Sequence, residues 1–146
     1  MIHRFETFVT GITTCYKSIQ RIKAMEMTEF GLKGAHAMCL FFLNHNPEGL
    51  TGAQLCQLCA EDKAAISRTL FTLRDQGYIQ PNQQKYRAPI LLTEAGKAVA
   101  SRVDALIEHW VSFGGDGLSS EERTVFYRAL DRISHNLRDT LEHNPI

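Results

Sequence analysis

The sequence predicts a mainly α protein with one small β-hairpin: a helix-turn-helix with a wing, carried between longer helices at either end. Three observations lead there. Apolar residues recur at intervals of three and four through most of the chain, the spacing of one helical face. Polar capping signals at Thr51 with Gln54, at Asp62, and at Ser119 with Glu122 mark helix starts. Two short β-prone stretches, YIQ and APILL, come after the central pair of helices and are separated by the turn-like PNQQKYR.

In chain order, Phe5, Phe8, Val9, Ile12, Tyr16, Ile19 and Ile22 form one stripe of a long first helix. Gly31 and Gly34 interrupt it. AHAMCLFFLNH then reads as a largely buried second helix that stops before the turn signal of Pro47 and Gly49. Thr51 and Gln54 make a capping box for a short third helix presenting Leu55, Leu58 and Cys59 inward. Asp62 caps a fourth helix that begins at Lys63, and Gly77 stops it. Its core stripe is Ile66, Leu70 and Leu73; Ala64, Arg68, Thr72 and Asp75 fall on the opposite side, with Ser67 and Phe71 on the flank. The two strands follow, the second confined to a sheet edge by Pro89. Thr93 is placed to cap a helix from about Glu94 to Val111, and GGDG (Gly114 to Gly117) is a linker. Ser119 and Glu122 then cap a last helix whose stripe is Phe126, Leu130, Ile133, Leu137 and Leu141. A short helix, a tight turn, a second helix and a hairpin make a winged helix-turn-helix.

A chain of 146 residues suits one domain, and contents of 44% hydrophobic and 22% charged residues are usual for a soluble globular protein. No apolar run reaches about 18 residues, so no membrane span is expected. The first residues, MIHRFETFVTG, carry Glu6 and no small-residue cleavage site; they do not read as a signal peptide, and a cytoplasmic location is the expectation. The net charge is zero, from 16 basic and 16 acidic residues, but it is segregated. Lys63 to Arg87 holds five basic residues and one acid, whereas Asp116 to Ile146 holds six acids and four arginines. Neutrality is a sum over two unlike parts and does not argue against a local basic surface.

The fourth helix is the expected reading helix for DNA. In a helix-turn-helix the N-terminal residues of the second helix meet base edges in the major groove. Lys63 and Arg68 can donate to guanine O6 and N7, and Ser67 can bond a base or a phosphate. Ala64 and Ala65 permit close approach and offer methyls to thymine. A solvated face would account for such a helix standing alone; the capped helix before it and the basic hairpin after it favour the groove. Thr51, Gln54, Thr72, Gln84, Lys85 and Arg87 are expected at phosphates, the last three from the wing tip NQQKYR. Phe71 is expected to pack under the wing rather than meet a sugar or a thymine methyl.

The four cysteines, Cys15, Cys39, Cys56 and Cys59, are expected to be reduced thiols. Cys56 and Cys59 match C-x-x-C, but inside a helix and without a second ligand pair. Core packing is the reading for Cys39 and Cys59, and core or interface packing for Cys15. The six histidines show no metal spacing, and there is no nucleophile elbow, phosphate loop or paired-carboxylate site. No enzyme, cofactor or metal is expected.

The run HNPEGLTGAQLCQLCAEDKAAISRTLFTLRDQGYI, followed by LLTEAGKAV, resembles the MarR family of bacterial winged helix-turn-helix transcription regulators, closely over roughly residues 35–100. The resemblance implies a single MarR-like domain in which 35–93 is the winged DNA-binding module and 1–34 and 94–146 are helical dimerisation regions. It implies an obligate homodimer whose two modules read a pseudo-palindromic operator in double-stranded DNA. It further implies a repressor released by a small-molecule effector bound between the dimer helices and the module. The wing departs from the family pattern: an acidic-x-Arg element in a longer loop is usual there, and here Arg87 stands at the end of the short NQQKYR. A second reading is a thiol- or metal-responsive regulator sensing through Cys15 or through Cys56 and Cys59. The flanking TTCYKS does not match the motif of the family's oxidant-sensing subgroup.

Overall fold

In the computed structural model of this chain, residues 1–81 and 88–143 are described below. They form α1 (Ile2–Met27), a 3-10 turn (Thr28–Phe30), α2 (Gly34–Asn44), α3 (Gly52–Cys59), α4 (Lys63–Asp75), α5 (Glu94–Gly114) and α6 (Ser120–His143). The chain divides into two compact units, Met1–Ile107 and Glu108–Ile146.

Local capping sets the helix starts in the first unit. The Thr51 hydroxyl accepts from the Gln54 N–H at 3.2 Å and the Gln54 side chain accepts from the Thr51 N–H at 2.8 Å, the reciprocal capping box that opens α3. The Asp62 carboxylate accepts from the Ala65 N–H at 2.7 Å and opens α4. Asp62→Ala is expected to lower stability by about 1 kcal/mol, read as a lower urea midpoint at unchanged slope. The last turn of α4 closes on Gly77 at φ 75°, a left-handed position that costs glycine nothing.

The core is built from Met27 of α1, Leu40 of α2, Leu55 of α3, Leu73 of α4, Ile79, and Val103 of α5, each at most 2% exposed. Burying a side chain of this size contributes roughly 1.5–3 kcal/mol. One expected core assignment needs correcting. Leu58 is 43% exposed, because Leu55 and Cys59, one helical turn apart, form the inward stripe of α3 and leave Leu58 on its flank. The expected stripe of α4 holds: Ile66 and Leu73 are buried and Leu70, half-buried, packs against the same core, which Thr69 joins.

Of the expected hairpin, the described residues hold two isolated antiparallel bridges, Ile79 with Leu92 and Leu50 with Ile90. Pro81 and Pro89 stand just outside these pairings and have no N–H to extend a ladder. The Leu50 pairing was not legible in the sequence: it sets the residue before α3 beside the segment leading to α5, with both backbone bonds made, at 3.2 and 2.8 Å. Gln84, Lys85 and Arg87 of the expected wing tip lie outside the described residues.

The start of α5 is joined closely to the end of α4. The Thr93 hydroxyl donates to the Gly77 carbonyl at 2.6 Å and accepts from the Gly96 N–H at 3.0 Å, while the Thr93 N–H donates to the Tyr78 carbonyl at 3.0 Å. Gly96 is needed for this approach, since a Cβ there would collide with the Tyr78 carbonyl group. Further along α5, Asp104 accepts from the Asn44 amide at 2.7 Å and meets His45 Nε2 at 3.2 Å, tying the end of α2 to the helix.

In the second unit, the Ser119 hydroxyl and the Glu122 carboxylate form the expected capping box at 3.2 and 2.8 Å. The Arg123 guanidinium donates to the Gly115 carbonyl at 2.7 Å. α6 has no buried residue, and Phe126, Ile133, Leu137 and Leu141 of its apolar stripe are all exposed. The stripe of α1 is likewise open at Phe5, Phe8, Val9, Ile12, Tyr16 and Ile19. Among the described residues, no helix is long and apolar enough to cross a membrane.

Candidate nucleic-acid interface

α3 ends in a turn of three residues before α4. Its C-cap, Ala60, adopts the left-handed conformation at φ 53°, and its N–H bonds back to the Cys56 and Gln57 carbonyls. This is an α3–turn–α4 helix pair, and Ile66 and Leu73 anchor the inner face of α4 in the core. The outer face is thereby turned to solvent.

Lys63, Ala64, Ser67 and Arg68 are exposed, while Ala65 and Thr72 are half-buried. Two clefts flank this face. One, of about 740 Å³ between α3 and α4, brings Thr51, Lys63 and Ser67 together over Ile66 and Leu70. The other, of about 650 Å³, runs between the start of α2 and α4 and is lined by Lys33, His36, Ala65, Arg68, Phe71 and Thr72, among others. Ser67 borders both and so stands on the crest between them. Lys63 and Arg68 bring cationic donors to this outer face, and the uncapped N–H groups of the first turn of α4 add partial positive charge.

Hydrogen bonding within the chain limits what some of these residues can offer. Thr51 and Gln54 are engaged with each other in the capping box, which leaves the Thr51 hydroxyl proton and the Gln54 amide protons for an outside acceptor. The Thr72 hydroxyl donates to the Arg68 carbonyl at 3.3 Å, so its proton is already in use.

Phe71 is 70% exposed on the outer edge of α4, because the inward stripe of the helix passes through Thr69 and Leu73 on either side, and the wing tip it was expected to pack under lies outside the described residues. His36, which drew no notice in the sequence, is buried at the start of α2. Its Nδ1 accepts from the Lys33 N–H at 2.8 Å, and burial holds its pKa below the ordinary histidine value. No short-range pattern distinguishes a histidine of this kind from a solvated one.

The cysteines are arranged differently from the sequence pattern. Cys15 is exposed on α1. The sulfur facing Cys59 is that of Cys39, on α2, at 3.8 Å. Among the described residues, no group of three or more His, Cys, Asp or Glu side chains is placed to hold a metal ion.

A family model described as the MarR family matches residues 30–88, the span from the end of the 3-10 turn through α4 to the foot of the expected wing. Over residues 30–88 the chain is similar to the MarR family. Solved MarR-family structures also superpose on the chain well beyond that segment. The transcriptional regulator SlyA has a TM-score of 0.82 at 23% identity, covering 93% of this chain and 97% of its own. A MarR family transcriptional regulator from Listeria monocytogenes, solved in complex with a 26mer DNA, has a TM-score of 0.82 at 19% identity over 93% and 94% of the two chains. A MarR transcriptional regulator from Methanosarcina mazei Go1 has a TM-score of 0.79 at 19% identity over 91% of each. At these identities the superpositions establish the MarR-type fold.

Proposed function

We propose that the chain is a sequence-specific DNA-binding transcription regulator that acts as a homodimer, with α4 as its reading helix. The observation that carries this is the outer face of α4. Lys63, Ser67 and Arg68 stand exposed at the start of a helix whose inner face is locked into the core. In this reading Lys63, Ala64, Ala65, Ser67 and Arg68 meet base edges, and Thr51, Gln54, Thr72, Gln84, Lys85 and Arg87 approach phosphates or form the wing. Thr72 would have to release its bond to the Arg68 carbonyl to donate to a phosphate. The DNA carried by the Listeria monocytogenes regulator supports the class of ligand.

The dimer reading rests on exposed apolar surface. Large apolar side chains lie open along α1 and along α6, more than a water-soluble monomer commonly leaves uncovered. Residues 1–34 and 94–146 are the dimerisation regions in this reading, and 35–93 is the winged module, with the β-hairpin completed by the tip. Repression relieved by a small molecule is the regulatory form we favour. The cleft between α2 and α4 supports it, because Lys33 and Arg68 border an apolar floor there and an occupant would lie against the reading helix.

Selection of binding sites from random duplex DNA is the test. The expected result is an enriched, pseudo-palindromic sequence bound by two copies of the chain. A pool that stays random after repeated rounds would remove the proposal.

A further inference from the structure

We propose that Cys39 and Cys59 are a dithiol that a hydroperoxide oxidises to an intramolecular disulfide, joining α2 to the last residue of α3. The two sulfurs lie 3.8 Å apart, although the residues are 20 positions apart in sequence and on different helices. Neither sulfur is committed to a metal group or to a disulfide. Their exposures divide the work. Cys39 is completely buried, whereas Cys59 is partly open to solvent. An oxidant dissolved in water therefore reaches Cys59 first, and Cys39 waits behind it.

The electrostatics agree with that order. The hydrogen bond between the Cys39 and Cys59 sulfurs lowers the pKa of Cys59; the Lys23 ammonium acts in the same direction, and burial and Glu61 oppose it. Cys39 is pushed strongly upward by the same hydrogen bond and by its burial. The more thiolate-like sulfur is thus also the more accessible one, as a peroxide-reactive cysteine requires.

The chemistry closes in two steps. The Cys59 thiolate attacks one peroxide oxygen; an S–O bond forms, the O–O bond breaks, and the other oxygen leaves as hydroxide and is protonated to water or, from an organic hydroperoxide, leaves as the alcohol. The Cys39 sulfur then attacks the Cys59 sulfenic acid. The S–S bond forms, the S–O bond breaks, and hydroxide leaves with the Cys39 proton as a second water. Two thiols lose two electrons and two protons, and the peroxide gains them.

Formation of the bond shortens the sulfur separation from 3.8 Å to about 2.05 Å. That draws the C-terminal residue of α3 toward α2, directly before the left-handed Ala60 and the Asp62 cap that set the start of α4. A close-packed core cannot absorb such a movement without a shift of its neighbours. Given the DNA-binding reading above, on which this consequence rests, the oxidised chain holds its reading helix in a different pose and binds its site more weakly.

The test uses the full chain, reduced and then treated with hydrogen peroxide. The expected product is lighter by about 2 Da, the loss of two hydrogens. Peptide mapping should locate a Cys39–Cys59 link that survives in the Cys15→Ser/Cys56→Ser variant. Cys39→Ala should instead accumulate a sulfenic acid on Cys59 that dimedone traps; should that variant not fold, Cys59→Ser should abolish the loss of mass. A link through Cys56, or oxygen addition without any link, overturns the dithiol. For the selected DNA, oxidation should weaken binding at least about tenfold and dithiothreitol should restore it; equal affinity overturns the coupling. A mapped link in a chain that binds no DNA when reduced would keep the dithiol and remove the DNA reading instead.

Discussion

Replacing Arg68 with alanine is expected to weaken binding to the selected operator by about 1–3 kcal/mol, roughly 5- to 150-fold, and to relax the preference at one base position. The expectation follows from where the side chain stands. Arg68 lies one turn into α4, exposed, on a helix fixed from behind by Ile66 and Leu73. A guanidinium there can meet guanine O6 and N7 with two parallel donors, and alanine at the same place leaves those acceptors without a protein partner. The fold should be unaffected, because the Arg68 side chain is exposed and the helix keeps its cap. Lys85→Ala offers the contrast. A phosphate contact carries no sequence information, so its loss should lower affinity for every duplex alike and reduce the salt slope by about one unit. Fluorescence anisotropy on the selected site and on a scrambled one, at several salt concentrations, separates the two patterns. Unchanged affinity in Arg68→Ala would mean that α4 does not read bases.

Gly96→Ala should destabilise the protein by about 3 kcal/mol or more, which for many domains of this size decides whether soluble protein is obtained. The added methyl meets the backbone carbonyl of Tyr78, not the yielding end of a side chain. Relief requires that the first turn of α5 move away from Tyr78, and the Thr93 bonds to Gly77 and Tyr78 hold it there. Gly52→Ala is the control. Gly52 opens α3 with no atom within 4 Å of an added Cβ, so the substitution should be neutral or raise stability by a few tenths of a kcal/mol. Thermal melts of the two variants beside the parent decide the matter, and a Gly96→Ala protein as stable as Gly52→Ala would show that the approach of the two segments is looser than described.

The helices were legible because their start signals are local. A Thr–Gln or Ser–Glu pair three residues apart caps the same way whatever surrounds it, and the boxes at Thr51 and Ser119 formed as the sequence implied. Burial on a short helix was less legible. On α3, Leu55, Leu58 and Cys59 are all apolar, and only the neighbouring helices decide which of them turns inward. Thr69 is buried and Phe71 exposed for the same reason: position on α4 outweighs hydrophobicity once Ile66 and Leu73 set the inner face. Contacts made across the fold left no trace in the spacing of residues. Leu50 bridges to Ile90 over 40 positions, and Cys39 faces Cys59 where C-x-x-C had directed attention to Cys56. Of the site, the face of α4 was readable from periodicity and charge, whereas the engagement of Thr72 with the backbone was not.

The three hydrogen bonds at Thr93 have a mechanical meaning. One residue clasps the end of α4 through Gly77, the chain beyond it through Tyr78, and the first turn of α5 through Gly96, where the absence of a side chain removes any cushion. Such a joint behaves as a weld and not as a hinge. The first turn of α5 and the last turn of α4 are therefore held as one piece, so neither can shift without breaking the Thr93 bonds.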